Sequence, residues 1–138
     1  LELRACAEIA LGQASAREVD RLNAGRATLR AMGRAVRALP RPPEAALVDG
    51  LGIPRLGCPV TAIVDGDCRS LSVAAASIVA KTERDRLMAE LALRYPGYGW
   101  EHNMGYATAD HLAALRLLGP TPQHRRSFAP VRLILESP

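Results

Sequence analysis

The apolar positions of the chain fall into short runs and long periodic stretches. Residues 45–48 (Ala-Ala-Leu-Val) stop at Asp49-Gly50, and residues 60–64 (Val-Thr-Ala-Ile-Val) stop at Asp65-Gly66. Each reads as a short buried strand closed by a turn. Around them the spacing is helical. Ser15 followed by Glu18 is a capping-box pattern, and it opens a helix predicted to run to about Leu39, where Pro40, Pro42 and Pro43 forbid continuation. Leu22, Leu29, Met32, Val36 and Leu39 fall in one arc of that helix, beside a stripe of Arg26, Arg30, Arg34 and Arg37.

A second long helix is predicted from about Leu71 to Arg94, ahead of Pro96. Its first turns carry Ala74, Ala75, Ala76, Ser77 and Ala80, small side chains that allow close packing on a sheet. Lys81, Glu83, Arg84, Asp85 and Arg86 turn the later half toward water. Residues 95–106 hold all three tyrosines and the single tryptophan among glycines, which reads as a loop displaying aromatics. Thr108 caps a last helix, residues 109–118, ended by Gly119-Pro120. Residues 4–11, ended by Gly12, fit a strand or the end of a helix, and strand is the favoured reading. Residues 131–135 fit either an edge-covering segment or a short helix.

Composition narrows the class. A chain of 138 residues with 49% hydrophobic and 23% charged residues makes a single domain or part of one. No apolar run approaches the roughly 18 to 20 residues that a membrane span requires, so no membrane association is expected. Three cysteines without a C-x-x-C pair point to neither a disulfide framework nor a zinc ribbon, and the reading is a cytoplasmic protein. The net charge of +4 rests on arginine, since Lys81 is the only lysine. The arginine stripe has two open readings, a track for a phosphate backbone or a solvated face. The chain opens at Leu1 inside structured-looking sequence and is expected to be a fragment.

The candidate chemistry centres on Asp49 and Asp67, eighteen positions apart, each just past the end of a strand. Ligands of α/β sheets gather beyond the carboxyl ends of strands, and two carboxylates there are hard oxygen donors for Mg²⁺ or Mn²⁺. The competing reading is a pair of ordinary strand-end turns. Tyr106, held among glycines, suits stacking on a sugar or contact with a 2′-hydroxyl, or equally the anchoring of its own loop. His102, His111 and His124 lack metal-ligand spacing, and His111 reads as a surface or capping residue.

Taken together, several motifs carry a family resemblance. They are Val48-Asp-Gly50, Gly66-Asp-Cys-Arg-Ser70, Val73-Ala-Ala-Ala-Ser-Ile-Val-Ala-Lys81, Arg84-Asp-Arg86, Tyr95-Pro-Gly-Tyr-Gly-Trp100, Gly105-Tyr-Ala-Thr108, Leu118-Gly-Pro-Thr-Pro122 and His124-Arg-Arg-Ser-Phe-Ala-Pro130. In order, over about residues 12–131, these resemble bacterial ribonuclease HII, a type 2 ribonuclease H.

The resemblance implies an α/β, ribonuclease H-like fold apparently missing its first strands, with residues 1–138 forming a partial domain. It implies an endonuclease that cuts the RNA strand of RNA–DNA hybrids and incises 5′ of a single ribonucleotide in duplex DNA. Four acidic residues and two Mg²⁺ or Mn²⁺ ions serve that family. Asp49 and Asp67 match the third and fourth acids, Tyr106 matches the reader of the ribose 2′-hydroxyl, and Arg69 and Lys81 fall among the substrate-binding positions. Asp85 is expected to support the site or the helix rather than bind metal. The family's Asp-Glu pair and Gly-Arg-Gly loop have no counterpart here, and Met104 stands where lysine is usual. The chain alone is therefore expected to be inactive. The alternative is a non-catalytic nucleic-acid-binding or assembly fragment, and the oligomeric state is left open.

Overall fold

The computed structural model describes residues 3–136. It divides into two compact units, Leu1–Ala80 and Lys81–Pro138. In the first, helices α1 (Leu3–Cys6), α2 (Ala16–Leu22) and α3 (Ala24–Arg37) precede strands β1 (Ala46–Asp49) and β2 (Val60–Ile63) and the one-turn helix α4 (Gly66–Arg69). Helix α5 (Leu71–Arg94) starts in the first unit and ends in the second, which also holds α6 (Trp100–Asn103), α7 (Ala109–Leu118) and α8 (Ala129–Glu136).

The strands pair in parallel, Ala46 with Val60 through Asp49 with Ile63, so both carboxyl ends lie at one edge. They form the only sheet among the described residues. The expectation of buried strands is corrected in part. Val48 is buried, but Leu47 is 50% exposed and Val64 lies half open beyond β2. One face of this parallel pair is therefore uncovered, whereas parallel sheets normally have both faces packed.

The strand expected over residues 4–11 is absent. Leu3–Cys6 is helical and the following residues run irregularly to Ser15. The reason is close packing on a helix: a Cβ at Gly12 would stand 2.0 Å from the Ala31 carbonyl oxygen and 2.6 Å from the Ala35 nitrogen. Backbone lies against backbone there, and glycine alone fits.

The helix expected from Ser15 to Leu39 is broken. Its start is as read, since the Ser15 side chain accepts from the Glu18 amide and the Glu18 carboxylate accepts from the Ser15 amide. At Asn23 the backbone turns to φ 68°, ending α2, and the Asn23 side chain accepts the Arg26 N–H to open α3. Asparagine tolerates positive φ and caps well, so one residue closes one helix and opens the next.

Helices α5 and α7 have the predicted bounds, and Thr108 caps α7 by accepting from the His111 amide. The burial of α5 departs from expectation. Val73 is buried, yet Ala76, Ser77, Ile78 and Ala80 are exposed. Its later half does not simply face water, because Ala92 enters the core of the second unit with Met88 and Leu91 against it. That core is completed by Tyr98, Trp100, Leu115 and Val131, the last from α8, so the helical alternative holds for residues 131–135.

Candidate functional site

Strand β1 carries Asp49 to the carboxyl edge of the sheet, where the Gly50 amide still donates to the Ile63 carbonyl at 2.9 Å. Beyond β2 the chain reverses through Asp65, at φ 53°, into α4, which carries Asp67 in its first turn and Arg69 in its last. The two branches are tied together, because the Gly66 N–H donates to Asp49 Oδ1 at 2.8 Å. Gly66 is buried, and a Cβ on it would lie 3.2 Å from Val73 Cγ1 and 3.3 Å from Asp49 Oδ1. That glycine lets α4 close onto β1 and holds Asp49 against the residue next to Asp67. Asp49, Asp67 and Arg69 are all exposed.

This donor set only partly fits a metal pair. The carboxylates are of the right chemistry, but one Asp49 oxygen is already engaged, and no group of three or more His, Cys, Asp or Glu side chains able to hold an ion occurs among the described residues.

Lys81 and Tyr106 belong to the second unit. The Lys81 ammonium binds Asp85 Oδ2 at 2.5 Å, one helical turn away, while Asp85 Oδ1 is buried with no hydrogen-bond partner among the described residues. Asp85 thus pairs with Lys81 along α5. Tyr106 is 56% exposed, with the Arg84 guanidinium 4.9 Å above its ring. It follows two left-handed residues, Met104 at φ 49° and Gly105 at φ 75°. The Asn103 side chain fastens that turn, accepting from the Gly105 amide and donating to the Tyr98 carbonyl, both at 2.8 Å.

The aromatic display expected over residues 95–106 is corrected: Tyr106 alone is displayed. Trp100 is 2% exposed and stacks on buried Tyr98 at 5.1 Å between ring centroids, while the Tyr98 hydroxyl donates to the Gly119 carbonyl at 2.6 Å. Burial raises the Tyr98 phenol above its ordinary pKa. Only apolar packing with every polar tip bonded makes such an arrangement stable.

Of the two readings of His111, surface or capping residue, the first is corrected: it is a core residue. It is 7% exposed, and its Nε2 accepts from the Trp100 indole N–H at 3.0 Å and lies 3.3 Å from His124 Nε2. The buried His124 accepts at Nδ1 from the Thr121 amide at 3.0 Å. Burial first, and then neighbouring His111, hold the His124 pKa down at about 4. A signal for this was present: His111 shares its helical stripe with Leu115 and Leu118 at spacings of four and seven.

The arginine stripe is partly committed within the chain. Arg34 holds both Glu18 oxygens, at 2.6 and 2.8 Å, and donates to the Gln13 carbonyl, while Arg30 stands 3.5 Å from Glu18. These contacts lower the Glu18 pKa to about 2, the Arg34 hydrogen bonds most of all.

Parallel strands with acids at their carboxyl edge, followed by a long helix, place the protein in the α/β class with a ribonuclease H-like fold. The structure of ribonuclease H2 from Pyrococcus horikoshii OT3 matches it with a TM-score of 0.70 at 21% identity, over 88% of this chain and 65% of that one. The family model for ribonuclease HII matches residues 3–131, and the chain belongs to that family. It is 61% identical over 125 residues to ribonuclease HII of Rhodospirillum rubrum, covering 91% of this chain and 57% of that protein. It is 56% identical over 136 residues to ribonuclease HII of Jannaschia sp. strain CCS1, covering 98% and 68%. The chain thus spans 57% of the length of the first of these relatives. No helix among the described residues is long and apolar enough to cross a membrane.

Proposed function

We propose that this chain is the part of a cytoplasmic ribonuclease HII that supplies two of its four metal-binding carboxylates, Asp49 and Asp67, together with its ribose-reading tyrosine, Tyr106. The substrates are the RNA strand of RNA–DNA hybrids and duplex DNA carrying a single ribonucleotide, cut on its 5′ side. Arg69 and Lys81 contribute positive charge toward the nucleic-acid backbone, and two Mg²⁺ or Mn²⁺ ions serve the complete enzyme. The observation that carries the reading is the parallel register, which delivers Asp49 and the segment of Asp67 to one edge and joins them through the Gly66 amide. Exposed Tyr106, gripped by its own backbone and faced by a guanidinium, is the complementary feature. With two carboxylates the 138-residue chain does not cut by itself, because Mg²⁺ demands near-octahedral oxygen ligation.

The test is strand incision on duplex DNA with one ribonucleotide, in Mg²⁺ and separately in Mn²⁺, comparing the 138-residue chain with a protein extended upstream of Leu1. Cutting 5′ of the ribonucleotide by the extended protein alone is the expected result. Equal cutting by the short chain would refute the need for the further carboxylates, and no cutting by either would refute the ribonuclease reading.

A further inference from the structure

The side chain of Tyr106 faces solvent, so the interior fixes it chiefly through its main chain. Its carbonyl oxygen accepts from the Thr108 N–H at 2.9 Å and lies 2.8 Å from His111 Nδ1. The proton positions follow from the neighbours. An indole N–H can only donate, so His111 Nε2 is an acceptor toward Trp100 and the ring proton of neutral His111 sits on Nδ1, aimed at the Tyr106 carbonyl. The Thr121 amide likewise can only donate, so His124 Nδ1 accepts and its proton sits on Nε2, aimed at His111 Nε2. Trp100 thus fixes the tautomer of His111 and the Thr121 amide that of His124, and the chain of bonds ends at Tyr106. The other groups facing the pair are the Thr121 hydroxyl, 3.0 Å from His124 Nδ1, and the Tyr98 and Trp100 rings, whose centroids lie 5.1 to 6.4 Å from theirs or each other, and no ion pair to His111 or His124 occurs among the described residues.

We propose that His111 is a positioning residue for Tyr106, with Trp100 and His124 locking its tautomer, so that a buried histidine pair that touches no substrate sets how the chain reads ribose. The assignment deepens the proposed function and rests on Tyr106 contacting the ribose. Arg84 holds the ring of Tyr106 from outside while His111 holds its carbonyl from inside.

Two arms test this. In the 138-residue chain at pH 7.5, nitrogen-15 spectra of the histidine rings should show His111 protonated at Nδ1 and His124 at Nε2, and His111→Leu should shift the Tyr106 and Thr108 amide signals. In the extended protein, His111→Leu should lower incision at a single ribonucleotide relative to a long RNA–DNA hybrid by about fivefold to tenfold, the effect of one lost hydrogen bond. His111→Asn, which keeps an N–H near the Nδ1 position, should restore most of that ratio although it loses the acceptor for Trp100. A purely structural role would slow both substrates alike in both variants. A proton on His111 Nε2, or an unchanged ratio in His111→Leu, overturns the proposal. If the unmutated extended protein does not cut, the ribonuclease reading fails, and the ring-proton arm alone decides the hold on Tyr106.

Discussion

Acidification from pH 7.5 to 5 offers a proton to His124, which the folded chain refuses and the unfolded chain accepts. The folded-state pKa is held at about 4, against an ordinary 6.5, by burial and by His111. A depressed histidine contributes stability above its unfolded pKa and loses it progressively as the pH falls from 6.5 toward 4. Between pH 7.5 and 5 the ceiling is about 2 kcal/mol, and screening by nearby water reduces this to about 1 to 1.5 kcal/mol. That is a sizeable share of a net stability of about 5 to 15 kcal/mol. Urea unfolding is the assay, followed by the fluorescence of Trp100, the chain's single tryptophan and a member of the same network. The midpoint should fall by about 0.5 to 1 M across this range. His124→Gln cannot take up a ring proton and should lose less than a third as much. Glu18 does not confuse the result, because its pKa, lowered to about 2 from 4.5, removes stability only at lower pH. Identical pH slopes for the two proteins, or a midpoint that rises on acidification, would refute the reasoning.

Other outcomes follow from the packing and the site. Gly12→Ala should cost about 3 kcal/mol, measured by thermal unfolding, because its methyl meets the backbone of Ala31 and Ala35. Leu115→Ala, at a side chain 1% exposed in the core of the second unit, should cost about 3 kcal/mol in the same assay. In the extended protein, Asp67→Asn should abolish incision while leaving duplex binding within about threefold, since an exposed carboxylate beside a polyanion contributes little to affinity. Full activity of that variant would remove Asp67 from the site. Tyr106→Ala should reduce incision at a single ribonucleotide more than cutting of a long hybrid.

What the sequence disclosed was set by local chemistry. The two strands end at Asp-Gly turns, Thr108 caps α7, and Pro96 stops α5, each decided by a few adjacent residues. The break at Asn23 escaped because the apolar periodicity runs on across it, and only a left-handed backbone at one position separates α2 from α3. Gly12 escaped for the opposite reason, since nothing near it in the chain announces the helix it touches. At the site, Asp49 and Asp67 stand out as acids after apolar runs, but their link through Gly66 belongs to the parallel register. The burial of His111 was not legible from its neighbours in the chain, because its partners are an indole, a backbone carbonyl and His124, all brought to it by the tertiary fold.

The hydrogen bond from Gly66 to Asp49 makes the two oxygens of one carboxylate unequal. The oxygen that takes the amide is an anchor, and it fixes the rotation of the side chain so that the other points the same way in every molecule. An asparagine at this position would have to present its oxygen to Gly66, since an amide nitrogen there would set donor against donor. Its NH₂ would then stand where the outward oxygen had been. Asp49→Asn therefore preserves the shape of the turn and reverses its polarity, replacing a lone pair that attracts a cation with protons that repel it.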